Sequence, residues 1–482
     1  MEIKEALTYD DVLLQPKKAI VTSRSEISTR SLLSKHIALE TPIVSANMDT
    51  VTEAEMAMTM AREGGIGIIH RFMSIEEQVN QINKVKRSES IIIDKPFSLK
   101  QYNTVSDAKQ LMALQGISGI LVTDVNNKLI GIVSSRDVSF EEDNNLKLSE
   151  VMTEKEDLIT ALYGISLDDA KKLLHEYRIE KLPLIDDAGY IKGLITRRDI
   201  LKSTLHPLAS KDDRGRLRVG AAIGVKTGFI ERAEALINAG TDILVLDIAH
   251  GHSEAGLRTV KELRVHFGNI EIMAGNIATA EAVEDFAKLE VDSLKVGIGP
   301  GTTCTTRIVT GCGVPQLTAI MECAKIAKDY DIPLVADGGI KVSGDITKAL
   351  AAGASTVMIG GSFAGTQEAP GVTRIINGMK YKVCRGMASF DATQDRLKKT
   401  EENKNICNTK TFDDIVPEGI EALVPFRGNV AELIKQFIGG LKSGISYCGA
   451  NNIKSMQQNA TFIKITTAGM TESRPHDVKM SY

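Results

Sequence analysis

Cys304 lies in the run Gly299-Pro300-Gly301-Thr302-Thr303-Cys304-Thr305-Thr306-Arg307, directly after the strand-like stretch Asp292–Gly297. A thiol on a glycine-rich loop at a strand end, flanked by hydroxyls and a guanidinium, has the setting of a nucleophile that attacks an anion-bearing substrate. The remaining cysteines, Cys312, Cys323, Cys384, Cys407 and Cys448, are scattered with no Cys-x-x-Cys spacing, so neither a zinc site nor a disulfide framework is indicated. They read as small buried hydrophobes.

The elements that must position this loop are short β-branched runs alternating with helical segments. The runs are Thr41–Ala46, Gly67–His70, Val219–Ile223, Ile243–Asp247, Ile270–Ala274, Asp292–Gly297, Ile332–Asp337 and Ser355–Gly360. Eight buried parallel-type strands separated by helices predict an α/β fold of the (β/α)8 TIM-barrel type. The pattern is broken once: roughly 150 residues separate the second run from the third, far more than one βα unit needs. A separate domain over 92–204 is therefore predicted, inserted between a first barrel part (1–91) and a second (205–482).

The insert repeats itself. Ile117–Val122 through Gly131–Asp137 realigns on Ile179–Leu184 through Gly193–Asp199, a shift of 199 − 137 = 62 residues. These two copies resemble a tandem pair of CBS (cystathionine β-synthase) motifs, and Ser134, Asp137, Thr196 and Asp199 match that family's ribose-binding positions. A hydroxyl and a carboxylate at a helix start can accept ribose hydroxyls, and they can equally cap the helix with no nucleotide present.

In a barrel of this type the working residues follow the C-terminal ends of the strands. Those positions hold Asn47, Met48 and Asp49, His70, Asp247, Gly275 with Asn276, the Cys304 loop, Asp337 with Gly338 and Gly339, and Gly360 with Gly361. Asp337 can accept both hydroxyls of a ribose, and backbone N–H groups at the four glycines can approach phosphate oxygens. Asp247 is placed to hold a second ribose, such as that of a nicotinamide cofactor. No Gly-x-Gly-x-x-Gly follows a first strand, so a dinucleotide would bind in a non-Rossmann way. His70 reads as a barrel-mouth histidine with its ring nitrogens satisfied. Beyond the last strand, Tyr381–Phe426 encloses the polar stretch Gln394–Asp414, read as a mobile lid with Gly386 and Gly419 as hinges.

A net charge of −4 and a pI near 6.1 give no basic stripe, so no nucleic acid partner is expected. No signal peptide or membrane-length apolar run is present, and a cytoplasmic location without membrane contact is the expectation.

Taken together, Leu7–Leu14, Met48-Asp49-Thr50-Val51, Gly299–Arg307, Ala336-Asp337-Gly338-Gly339 and Tyr447-Cys448-Gly449-Ala450 resemble the signatures of the inosine monophosphate dehydrogenase and GMP reductase family. The similarity covers essentially the whole chain. It implies that Cys304 attacks C2 of a purine nucleotide, GMP or IMP, and forms a covalent thioimidate. Asn47, Met48, Thr302, Asp337, Gly338, Gly339, Gly360, Gly361, Tyr381, Gly386, Met387, Ala388 and Ser389 would then bind the substrate. Asp247, Ala249, Gly275, Asn276 and Gly297 would face the dinucleotide. Bacterial dehydrogenases further suggest a K+ site from Gly299, Gly301 and Cys304 with Glu472 and Ser473 across a subunit boundary. A homotetramer, able to pair into octamers through CBS modules that bind ATP, GTP or GDP, is also implied.

The family runs two reactions through one adduct. Its dehydrogenase oxidises IMP with NAD and hydrolyses the adduct using a flap Arg-Tyr pair; its reductase takes GMP, expels ammonia and accepts hydride from NADPH, assisted by residues matching Thr306 and Glu418. Here Arg396 is followed by Leu397, so the water-activating dyad is absent, and hydrolysis should slow by about 10²–10⁴-fold. Gly361 where many dehydrogenases have serine, and Ala388 where glycine is usual, point the same way. The sequence reading therefore favours GMP reductase, with IMP dehydrogenase as the alternative, supported by the CBS pair and the tail Ala468–Asp477. A non-catalytic nucleotide sensor is the alternative of another class.

Overall fold

A computed structural model describes residues 3–89, 92–94, 96–198, 200, 205–390, 392 and 416–475. The chain divides into two compact units, one of Met1–Ser88, Leu208–Asp212 and Leu217–Tyr482, the other of Glu89–Pro207 and Asp213–Arg216.

The larger unit is a closed eight-stranded parallel barrel. Its strands are Ile43–Ser45, Ile66–Ile69, Gly220–Ile223, Ile243–Leu246, Glu271–Ile277, Ser293–Val296, Leu334–Asp337 and Thr356–Ile359. The ring closes where Val357 pairs with Ile43 and Ile359 with Ser45. It also closes across the insertion, where Gly220 pairs with Ile68 and Ala221 with Ile69. Residues of these strands are buried almost without exception because both faces are covered, which is why they read as continuous apolar runs. Alternate side chains enter the barrel lumen, where Val44, Ile66, Ile68, Ala222, Val245, Met273, Val335 and Met358 form one core. The hairpin Ser31–Leu32 with Ala38–Leu39 adds Leu33, Ile37 and Leu39 to that core from the strands' N-terminal side.

The outer helices follow a helical period. Helix Val430–Tyr447 buries Val430, Leu433, Ile434, Phe437, Leu441 and Ile445, an i, i+3, i+4, i+7 stripe that packs on helix Ser343–Ala351. Among the described residues no helix is long and apolar enough to cross a membrane.

Two differences from the sequence reading concern the site. The fifth strand runs to Ile277, so Gly275 and Asn276 belong to the strand and do not follow it. The segment read as a lid begins and ends in strands: Met379–Arg385 pairs antiparallel with both Arg374–Ile376 and Glu421–Pro425. Arg396, Leu397 and the stretch Gln394–Asp414 lie outside the described residues, as do Asp199 and Cys407.

The smaller unit is a duplicated fold with two four-stranded sheets. Gly119–Thr123 pairs antiparallel with Leu129–Ser134, and Lys181–Ile185 pairs with Ile191–Thr196. The second pair repeats the first after 181 − 119 = 62 residues, including a register shift at Val122/Thr123 that recurs at Leu184/Ile185.

Candidate active site

The sixth barrel strand delivers the thiol. After Val296 the chain turns at Gly297 with φ +150°; an added Cβ there would sit 2.1 Å from the carbonyl oxygen of Asp337, so only glycine lets the sixth and seventh strands' ends approach. The loop then closes on itself through the Cys304 N–H, which donates to the Gly301 carbonyl at 3.1 Å. Arg307 braces it from within: Nε donates to the Ile298 carbonyl at 3.1 Å and Nη2 to that of Val314 at 2.5 Å. Half-buried, Cys304 has Sγ 3.1 Å from Thr306 Oγ1.

The segment beyond the eighth strand is fastened to this loop by its main chain. The Thr305 N–H donates to the Glu418 carbonyl at 2.9 Å, that of Ile420 to the Thr303 carbonyl at 2.9 Å, and that of Glu418 to the Ala388 carbonyl at 3.0 Å. Gly386 and Gly419 pack face to face, and a Cβ on Gly386 would meet the Thr303 carbonyl oxygen at 2.9 Å. Close approach of the backbones favours glycine at both positions. Glu418 is thereby anchored two residues from the loop's partner Ile420. Arg385 is held by Asp49, Nε to Oδ2 at 2.8 Å, which ties the same segment to the first barrel strand's end.

A cavity of about 70 Å³ opens beside the thiol loop, lined by Met48, Gly301, Thr302, Thr303, Asp337, Gly338, Gly339, Gly360 and Gly361 among others. The structure thus brings together most of the residues expected at a ribose phosphate. A larger cavity of about 380 Å³, lined by Glu53, Glu55, Gln81, Lys84, Glu368 and Asn429, includes no residue of the thiol loop, and the chemistry belongs to the smaller one.

Asp337, at the end of the seventh strand, is not isolated. Its Oδ2 accepts from Asn276 Nδ2 at 2.8 Å and from Lys295 Nζ at 2.9 Å. Asn276 Nδ2 also donates to the Gly297 carbonyl at 2.7 Å. Asp247 is engaged as well: Asn47 Nδ2 donates to Oδ1 at 2.9 Å and Arg71 Nε to Oδ2 at 2.6 Å. Asn47, expected on the substrate, therefore stands beside Asp247. Ala249 is exposed just beyond, and the loop after Asp247 is fixed to the fifth strand's end through the Gly251 N–H and the Asn276 carbonyl at 2.7 Å.

Several expected residues do not line that cavity. Tyr381 sits in the hairpin sheet, opposite Arg374 and Pro425, and does not line the cavity. Ser389 is buried, and its hydroxyl accepts from the Ala392 N–H at 3.3 Å. Met387 is half-buried and Ala388 exposed, neither lining the cavity. Glu472 and Ser473 are exposed at the end of helix Thr467–Glu472, where Ser473 Oγ donates to the Gly469 carbonyl, and no hydrogen bond links them to Gly299, Gly301 or Cys304 among the described residues. In the smaller unit Asp137 Oδ2 accepts from both the N–H and the hydroxyl of Ser134, at 2.7 and 2.8 Å, which is the helix-cap arrangement; Thr196 ends its strand at the matching place. His70 accepts at Nδ1 from the Phe72 N–H at 3.1 Å, a satisfied histidine as expected.

Lys295 and Arg71 were missed by reading the sequence. The signal for Lys295 was present: a lysine inside the apolar run Leu294-Lys295-Val296 cannot be buried without a partner. Arg71 carried no such signal, because an arginine just past a strand end is an ordinary surface residue.

A parallel barrel with a thiol loop, a carboxylate and a glycine-lined cavity at the ends of its strands defines an oxidoreductase of purine nucleotides once its relatives are considered. Residues 6–476 match the IMP dehydrogenase / GMP reductase domain. The chain is 54% identical over 478 residues to the inosine-5′-monophosphate dehydrogenase of Nitrosopumilus maritimus, covering 99% of each, and 50% identical over 482 residues to that of Aquifex aeolicus, covering 100% of this chain and 97% of the relative. Among solved structures, a cysteine-to-alanine GMP reductase from Trypanosoma brucei bound to guanosine 5′-monophosphate superposes with a TM-score of 0.87 at 41% identity, covering 99% of each chain. The same enzyme bound to guanosine 5′-triphosphate gives 0.76 at 38% identity, covering 96% of this chain and 98% of that one. This chain belongs to the IMP dehydrogenase / GMP reductase family.

Proposed function

We propose that the chain oxidises IMP to XMP with NAD through a covalent adduct on Cys304. The observation that carries the site is the thiol loop itself, which holds Cys304 and also walls the cavity bounded by Asp337 and the glycine turns. Full-length likeness to enzymes named IMP dehydrogenase, at 54% and 50% identity, supports the direction. That reverses the preference drawn from Arg396-Leu397.

In this reading Asp337 takes the ribose hydroxyls, and N–H groups at Gly338, Gly339, Gly360 and Gly361 with the Thr302 hydroxyl take the phosphate. Cys304 loses its proton and Sγ bonds to C2; the C2 hydrogen departs as hydride, leaving a thioimidate. NAD, when bound, supplies the hydride acceptor. Water then adds at C2 and the C–S bond breaks, its two hydrogens ending on XMP and on the regenerated thiol, so that the proton first lost by Cys304 is released, for a sum of IMP + NAD⁺ + water to XMP + NADH + H⁺. Asp247 keeps lone pairs beyond those used by Asn47 and Arg71, so with Ala249, Gly275, Asn276 and Gly297 it remains the dinucleotide side.

A second reading, GMP reductase, is favoured by Leu397 after Arg396 and by the Cys304–Thr306 contact, with Thr306 and Glu418 assisting loss of ammonia. Purified protein decides between them. NADH formed from IMP and NAD supports oxidation; NADPH consumed only with GMP, with ammonia released, overturns it in favour of reduction.

The inserted unit reads as a CBS pair that binds ATP, GTP or GDP, and the GTP complex of the related reductase supports a guanine nucleotide. Titration of the full chain with each nucleotide, alongside sedimentation for tetramer or octamer, tests this. A K+ site would combine Gly299, Gly301 and Cys304 of one chain with Glu472 and Ser473 of a neighbour, and turnover in K+ against Na+ tests it.

A further inference from the structure

We infer that Lys295 is a positioning residue that sets the ribose selectivity of the nucleotide site. The inference rests on the reading of Asp337 as the ribose carboxylate. Lys295 lies mid-strand on the sixth barrel strand and its side chain is only 4% exposed. A buried ammonium is costly unless paired, and the partner that the barrel supplies is Asp337, with Nζ 2.9 Å from Oδ2. Nζ also donates to Asn276 Oδ1. That contact fixes which way the Asn276 amide faces, so that Nδ2 donates to Asp337 Oδ2 and to the Gly297 carbonyl. Three adjacent strands thus meet on one carboxylate oxygen.

The consequence lies in the other oxygen. Oδ2 takes two donors from beneath, whereas Oδ1 takes no hydrogen bond among the described residues, and Asp337 lines the cavity with 21% of its side chain exposed. An aspartate fixed at one oxygen presents the other in a single direction. A pair of vicinal hydroxyls can use that direction; a 2′-deoxyribose loses part of it. Without the Lys295 ammonium, the carboxylate can rotate and Asn276 can flip, and the site should accept ribose and deoxyribose more nearly alike.

The test is the ratio of dissociation constants for 2′-deoxy-IMP and IMP, measured by calorimetry on the same full-length sample so that any unfolded fraction cancels. Wild type should prefer IMP by about tenfold or more, the scale of a hydrogen bond to a charged group. Lys295→Met should reduce that preference to about twofold or less, while Lys295→Arg, which keeps the charge, should retain most of it. Should the Met variant fail to fold, Lys295→Gln, which keeps a donor but no charge, should still lose at least threefold of the preference. Folded Met or Gln variants that discriminate as wild type does overturn the role of Lys295. Wild type that binds neither nucleotide, or both equally, overturns the reading of Asp337 itself.

Discussion

Cys304 and Gly419 face one another as an antiparallel bridge, and Ser389 pairs with the same glycine from the other side. The thiol loop, the turn after Arg385 and the strand leading into Glu421 therefore form one hydrogen-bonded patch. The segment beyond the last barrel strand is thus held against the thiol loop by main-chain hydrogen bonds, the Thr305 N–H to the Glu418 carbonyl and the Ile420 N–H to that of Thr303.

That patch makes Gly386→Ala informative. The new methyl would press on the Thr303 carbonyl oxygen and on Gly419, displacing the loop by several tenths of an ångström. Since misplacement of about 1 Å can cost 10²-fold in rate, kcat should fall about tenfold or more. Steady-state kinetics with a melting curve checks this: a normal rate, or a loss explained by unfolding, refutes it.

Substitution at the nucleophile should separate binding from chemistry. Cys304→Ser should abolish turnover in either direction while the dissociation constant of IMP or GMP changes by less than about threefold, since among the described residues the one hydrogen bond of Sγ is to Thr306 Oγ1. Thr306→Val should lower kcat by about tenfold or more with KM little altered. Full turnover by the serine variant would remove Cys304 from the mechanism.

Asp337→Ala should destabilise the barrel as well as inactivate it. The Lys295 ammonium would be left buried without its carboxylate, at a cost of about 3–5 kcal/mol. Asp337→Asn, which keeps an acceptor, should fall between the two. The double variant Asp337→Ala, Lys295→Met should recover most of the lost stability, and thermal melting of wild type, Asp337→Ala, Lys295→Met and the double variant measures the coupling.

Thiol chemistry should sort the cysteines by burial. Burial pushes the Cys384 thiol up to about 11 and that of Cys323 up to about 12. At pH 8 alkylation of the native protein should reach exposed Cys312 and half-buried Cys304 and spare Cys323, Cys384 and Cys448, as peptide mass mapping can show. The sign for stability follows. An unfolded thiol ionises near about pH 8.5, whereas these two stay protonated in the fold, so the folded state binds more protons and stability drops as pH rises through 9 toward 11. Cys323→Ala should flatten that decline.

Much of this protein was legible in its sequence. Continuous apolar runs such as Ile243–Leu246 announce strands covered on both faces, the 62-residue repeat from Asp137 to Asp199 marks the duplicated insert, and the Cys304 loop names its own chemistry through thiol, glycine and hydroxyl at fixed spacing. These are local signals, carried by periodicity and composition. What only the tertiary structure decided is which distant groups meet: Lys295, Asn276 and Asp337 come from three strands, Asn47 and Arg71 converge on Asp247, and Glu418 is anchored through the backbone to Thr305. Long-range pairing fixes such meetings, because closing the barrel brings together strand ends that the chain holds far apart. For the same reason Cys304 stands out as a candidate nucleophile within nine consecutive residues, but the Asp337 carboxylate acquired its orientation only when the sixth and seventh strands lay side by side.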